Sequence, residues 1–290
     1  MDLTNAFAGV SEAVLEARKQ VGAEEIIENG MPYCKKCGEP LKLGLDITGP
    51  MAERLGKKRY VPRNCACMRM MFAAEAEIEQ KRKQAEKIAN IRRDNLKAEK
   101  YRNSTFNKDD GRCEKLRNIC ENYVDKRKEM IDSNMGIAFL GSNGSGKTFW
   151  ASCIANALID AGATVYMSTL TKLIHDMNAN YGEKREFLEC KIKNVDFLIL
   201  DDYGAERGTE YSLEQAFEII DARYNAGKPL IITANLTEEV LNNPPAMNYG
   251  RSYSRILEMC PLIIRAEGER RKEIAAEKRK ALIKMLFSEE

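Results

Sequence analysis

Residues 141–148 read GSNGSGKT directly after the apolar run GIAFL, and no other stretch limits the possible folds as strongly. It satisfies G-x-x-x-x-G-K-[ST] at every fixed position, the pattern of a loop whose backbone N–H groups cradle nucleotide phosphates between a strand and a helix. Gly141, Gly144 and Gly146 let the backbone turn tightly and approach the phosphates with no Cβ in the way. Ser142, Asn143 and Ser145 complete the cradle. Lys147 is placed to reach the β- and γ-phosphates of ATP, and the Thr148 hydroxyl to coordinate Mg²⁺. The helix opening at Lys147 aims its positive end at the anion.

The rest of the chain from Tyr101 onward alternates between strand and helix patterns. Strands are expected at 136–140, 163–168, 195–201, 229–234 and 261–265. Runs such as VDFLIL and PLIIT suit strands buried on both faces, so the fold class is α/β, a parallel sheet flanked by helices. VDFLILDDYG, residues 195–204, ends in two adjacent carboxylates. In phosphate-loop ATPases such a strand brings one acid to the Mg²⁺ shell and the next to the attacking water, which assigns Asp201 and Asp202 respectively. PLIITANL, residues 229–236, ends in the polar pair Thr233 and Asn235. Asn235 is placed to hold the lytic water or touch the γ-phosphate, or simply to end the strand as a turn residue. In YGRSYSRILEMC, residues 249–260, Arg251 and Arg255 lie four apart on one helix face, either as solvated charges or as an arginine presented to a neighbouring subunit's nucleotide.

Taken together, YRNSTF at 101–106, GSNGSGKT, LILDDYG, IITANL and RSYSRILEMC resemble the AAA+ ATPase domain of DnaC/DnaI-type replicative helicase loaders, phage versions included. IstB-type transposition ATPases are a more distant likeness. The resemblance covers residues 101–268. It implies a phosphate-loop AAA+ fold, hydrolysis of ATP with Mg²⁺, and assembly of copies on single-stranded DNA or on a replicative DNA helicase. It also implies that Asn235 is the first sensor and Arg255 the arginine finger. One departure is Asp202, where many AAA+ proteins have Glu; its shorter reach implies slow or partner-dependent hydrolysis. The alternative within the same resemblance is an IstB-like ATPase that binds DNA and recruits a recombinase. A small-molecule kinase has no use for the sensor-like asparagine, the arginine pair or a metal module.

Upstream, CKKC at 34–37 and CAC at 65–67 present Cys34, Cys37, Cys65 and Cys67, two close pairs able to give tetrahedral thiolate ligation of Zn²⁺. The second pair is C-x-C rather than C-x₂-C. Low apolar content over 31–71 also argues for a metal to hold that region's fold. Lys and Arg number nine against three acidic residues between Tyr33 and Met71, compatible with nucleic acid or with protein docking. Residues 1–71 therefore read as an N-terminal helix, with Phe7, Val10, Val14 and Leu15 at helical spacing, followed by a zinc-binding, partner-docking module. Residues 72–100 hold no Gly or Pro and read as a charged linker helix; 101–290 read as the ATPase domain, closing in a charged helix. No apolar stretch approaches the roughly 20 residues of a membrane span, and the N-terminus lacks a basic start and apolar core. Nine cysteines without such a leader suit a reducing compartment, so the expected location is the cytoplasm.

Overall fold

A computed structural model describes residues 24–48, 52, 57–179, 182–204, 210–244, 247–266 and 268–287. Most of the expected N-terminal helix, including Phe7, Val10, Val14 and Leu15, lies outside the described residues. The expected helix reaches about residue 30, but its last residues form a strand, β1 (Glu25–Glu28), paired antiparallel with β2 (Met31–Cys34). The physical reason is Asn29-Gly30: both residues have positive φ, 48° and 76°, the backbone that closes a two-residue hairpin. A second hairpin pairs β3 (Lys42–Asp46) with β4 (Lys58–Pro62). Helix α1 runs from Ala66 to Asn95.

Contacts divide the chain into two compact units, one ending at Glu86 and the other starting at Lys87. The boundary falls inside α1, within the stretch expected to be a charged helix. Phe72 packs on the small core of Cys34, Leu41, Cys65 and Met68, whereas Ile88 and Ile91 pack on the core of the second unit. Leu96 is fully buried there and bridges to Met167. Sparse apolar positions in 72–100 thus mark two docking ends, with the exposed Ile78 between them.

The second unit is a five-stranded parallel sheet. Its strands are β5 (Ile137–Leu140), β6 (Val165–Thr169), β7 (Phe197–Tyr203), β8 (Leu230–Ala234) and β9 (Leu262–Arg265), in the spatial order β6-β7-β8-β5-β9. All five expected strands are present, shifted by a residue or two at their ends. Alternate residues serve opposite cores, as period-2 side chains must. Ile137, Phe139, Phe197 and Ile199 face the core built with α5 (Lys147–Asp160), while Ala138, Leu140, Leu198 and Leu200 face the other. That second core includes α6 (Leu170–Ala179), α7 (Glu183–Asn194), α8 (Glu210–Asn225) and α10 (Met247–Met259). Burying a side chain such as Phe139 contributes about 1.5–3 kcal/mol, which is why near-continuous apolar runs mark these strands.

The short helix α2 (Glu99–Asn103) lies before α3 (Glu114–Asp125) and α4 (Arg127–Asp132); α9 is Glu238–Asn242 and α11 is Arg270–Phe287. One buried cation ties the sheet's rear edge. The Arg223 guanidinium donates to the carbonyls of Ile192, Val195, Asp196 and Pro229. Burial lowers its pKa to about 9, yet it remains charged at neutral pH.

Candidate nucleotide site and thiol cluster

Because β8 lies between β5 and β7, the parallel sheet collects three strand ends at one edge: the phosphate loop, the acid pair and Asn235. Ligands bind at that edge in open α/β sheets. Gly146 caps α5 with φ 94°, and Gly144 has φ 88°. Gly141 serves packing as well as loop geometry, because a Cβ there would stand 2.2 Å from the Ala266 carbonyl oxygen.

The Lys147 ammonium donates to the carbonyls of Gly141 (2.9 Å) and Ser142 (2.7 Å) and to Asn235 Oδ1 (2.8 Å). Burial lowers its pKa, opposed by the negative charges of Asp202 and Asp201 and aided by Arg271. The bond to Asn235 leaves that amide's Nδ2 as its donor side. Asp201 is fully buried. Its Oδ1 accepts from Thr148 Oγ1 (2.7 Å) and Thr233 Oγ1 (2.7 Å); its Oδ2 accepts from the Tyr101 hydroxyl (2.9 Å) and Lys100 Nζ (3.1 Å). Since Thr148 spends its proton on Asp201, its oxygen lone pairs face outward for a cation. A hydroxyl and carboxylate joined in this way fit the hard, oxygen-seeking Mg²⁺.

Adjacent residues on a regular strand point to opposite faces, so two neighbouring acids cannot ordinarily share a site. The register between β7 and β8 slips between Leu200 and Tyr203, and Asp202 has φ 56°. This is a bulge, which re-aims the side chain beside the site. Thr233 Oγ1 holds it by accepting from the Asp202 backbone N–H at 3.0 Å. The strand therefore carries both acids rather than stopping at residue 201, as the apolar pattern predicts.

Arg255 is engaged away from its own chain's loop. It pairs with Asp221 at 2.6 Å, and its guanidinium lies over the rings of Phe217 (4.7 Å) and Tyr224 (5.3 Å). Arg251 is exposed on the same face, and both border one surface hollow with Tyr224 and Glu258. Sequence reading missed Lys100, Tyr101 and the double role of Thr233. It also missed Arg270 and Arg271, which approach Gly146 and Gly144 from the start of α11. Nothing in spacing links Tyr101 to an acid 100 residues away.

In the first unit the four expected thiols come together. One sulfur from each of Cys34, Cys37, Cys65 and Cys67 lies within 4.8 Å of all the others, with Cys34–Cys67 at 3.5 Å and Cys65–Cys67 at 3.1 Å. A tetrahedron of Zn–S bonds near 2.3 Å places sulfurs about 3.8 Å apart, so the donor set fits Zn²⁺. Backbone N–H groups of Glu39 and Cys67 lower Cys37 to about 6, whereas the neighbouring thiols of Cys65 and Cys34 push Cys67 up to about 12. Four sulfurs this close cannot all ionise without a cation among them. Glu39 braces the cluster: its carboxylate accepts from the Ala66 backbone N–H (2.8 Å) and from Arg63 (3.1 Å), joining the loop of the first pair to the helix of the second.

Fold and site together define a phosphate-loop ATPase of the AAA+ class. The family described as IstB-like ATP binding protein matches residues 66–243, and the chain belongs to it. Similar proteins include YqaM of Bacillus subtilis (strain 168), 32% identical over 147 residues that make up 48% of this chain and 45% of that one. The replicative helicase loader DnaC of Escherichia coli (strain K12) is 28% identical over 116 residues, 38% of this chain and 47% of DnaC. A crystal structure of the DnaC helicase loader aligns at a TM-score of 0.48 and 26% identity, covering 59% of this chain and 100% of that one. The chain spans about half the length of the curated relatives it matches. The likeness to DnaC/DnaI-type loaders and that to IstB-type ATPases both hold.

Proposed function

We propose that this chain is an ATP-dependent loader that delivers a replicative DNA helicase to single-stranded DNA. The observation that carries the reading is the joint placement of Lys147, Thr148, Asp201 and Asn235 at one sheet edge, in a chain similar to a named helicase loader. In this reading the loop amides and Lys147 bind the phosphates of ATP, while Thr148 and Asp201 hold Mg²⁺. Magnesium, when bound, neutralises charge on the phosphates. Asp202 orients the attacking water and accepts its proton; Asn235, released by Lys147 when phosphate is bound, turns its amide to the γ-phosphate or that water. Arg255 leaves Asp221 to reach a neighbouring chain's nucleotide, so turnover follows self-assembly on DNA or helicase. Cys34, Cys37, Cys65 and Cys67 hold one Zn²⁺, which fixes two short hairpins as the arm that docks the helicase. The place of action is the cytoplasm; no described helix is long and apolar enough to cross a membrane.

The family match favours a second reading, a transposition ATPase that binds DNA and recruits a recombinase. The cysteine-bearing arm favours the loader. The test mixes the full chain with a replicative DNA helicase and closed circular single-stranded DNA. Helicase transferred to the circle only with this chain and ATP supports loading. Transfer that is equal without the chain, or binding confined to duplex DNA, overturns it.

A further inference from the structure

We infer that Tyr101 and Lys100 set the magnesium affinity of the nucleotide site in opposite directions, Tyr101 by holding Asp201 in its metal-binding pose and Lys100 by serving as the counter-ion that magnesium replaces. The inference rests on the reading of Asp201 as a magnesium-shell acid. The four partners of Asp201 fall into two kinds. Thr148, Thr233 and Tyr101 are neutral hydroxyls at 2.7, 2.7 and 2.9 Å, and Tyr101 is only 1% exposed. They neutralise nothing; they fix where the two oxygens point.

Tyr101 is itself held rigidly. Its backbone carbonyl accepts from Asn156 Nδ2 at 2.7 Å, and the same amide donates to the Ser104 carbonyl at 2.8 Å. Asn156 is buried on α5, the helix that begins with Lys147. The segment before α2 is pinned as well, by the bridge of Leu96 to Met167 and the Lys97 N–H to the Met167 carbonyl at 3.1 Å. Tyr101 thus ties Asp201 to the phosphate-loop helix through a chain of buried bonds.

Lys100 is the other kind of partner. It is the only cation paired with Asp201 among the described residues, and its side chain is 56% exposed against 0% for the acid. A carboxylate buried among neutral donors needs a positive charge nearby. Lys100 supplies it on a flexible, half-exposed stem, its ammonium lying 4.9 Å from the Tyr101 ring centroid, and can swing out to water. A divalent ion arriving between Asp201 and Thr148 makes that ammonium redundant and repels it.

The test is nucleotide binding by the full chain, measured by calorimetry with the non-hydrolysable analogue AMPPNP, in EDTA and at stepped Mg²⁺ concentrations. Tyr101→Phe keeps the buried ring and removes one hydrogen bond to a charged acceptor. It should raise the Mg²⁺ concentration for half-maximal enhancement about tenfold. Lys100→Met keeps the stem and removes the competitor, and should lower that concentration about threefold, a smaller effect because the Lys100 side chain is half exposed. Affinity in EDTA should stay within about twofold for both. A merely structural Tyr101 would weaken binding equally with and without Mg²⁺, and a Lys100 that touches phosphate would weaken it in EDTA; either result overturns the inference. So do midpoints that stay put or move in the same direction. A wild-type chain whose AMPPNP binding ignores Mg²⁺ would overturn the underlying reading of Asp201 instead.

Discussion

Replacing Thr233 with Val separates the geometry of the acid pair from its chemistry. The side chain is fully buried, donates to Asp201 Oδ1 at 2.7 Å and accepts from the Asp202 N–H at 3.0 Å. Valine fills the same space but offers neither bond. Losing a hydrogen bond to a charged acceptor costs about 2 kcal/mol, and stranding the Asp202 N–H costs about 1 kcal/mol more. The added apolar carbon offsets about 0.8 kcal/mol, leaving a net loss of about 2 kcal/mol. Urea unfolding of the second unit's transition should show that loss as a lower midpoint with an unchanged slope. The bulge at Asp202 loses its anchor, so ATP turnover should fall by more than tenfold while ATP binding weakens far less. Thr233→Ser keeps the hydroxyl and should retain most turnover, with about 1 kcal/mol lost for the missing methyl. Equal turnover in the Val and Ser variants would refute the claim that this hydroxyl aims the acids.

Three further outcomes follow from the same geometry. Asp202→Asn should bind ATP as the wild type does, since Asp201 and its four partners are intact, but lose hydrolysis; wild-type turnover in single-cycle assays would move the water-activating role elsewhere. Protein purified without chelator should carry one zinc per chain by metal analysis, and Cys65→Ser should release it and unfold the hairpins while ATP binding persists; a zinc-free wild type contradicts this. Arg255→Ala should bind ATP yet lose about 10³-fold or more of assembly-dependent turnover, partly restored by mixing with Asp202→Asn chains, with Arg251→Ala as control. Loss in the Arg251 variant alone would exchange the two roles, and no loss in either would leave Arg255 as a partner of Asp221 and its two rings.

The parts of this protein that sequence discloses are those with a local rule behind them. GSNGSGKT names its own backbone shape, and apolar runs such as VDFLIL and PLIIT suit strands buried on both faces of a parallel sheet. Asp201 and Asn235 lie at the C-terminal ends of β7 and β8, and Lys147 opens the helix that follows β5 through the phosphate loop, so a parallel sheet gathers them at one edge. The cysteine pairs likewise announced a cluster that the structure brings together. What escaped has no periodic signature. The Asp202 bulge is one extra residue in a ladder, visible only as a register slip and a φ of 56°. Tyr101 reaches Asp201 across 100 residues through tertiary packing. The hairpins of the first unit are four- and five-residue strands with mostly exposed positions, too short and polar for alternation to declare them, though Asn29-Gly30 was a readable turn. Within 72–100 a few apolar residues carry the packing that charge composition does not announce: Ile88 and Ile91 lie against the second unit's core and Leu96 is wholly buried.

Calorimetric titration of the full chain with ATP and Mg²⁺, wild type beside Lys147→Ala, bears most directly on the nucleotide site. The Lys147 ammonium is the only positive side chain inside the loop, held by two loop carbonyls and Asn235. One ATP should bind per wild-type chain, and binding by the folded variant should be lost or weakened at least a hundredfold, as removal of a buried, charge-assisted phosphate contact requires. Equal affinity in the two proteins would contradict the assignment of this loop as the ATP site.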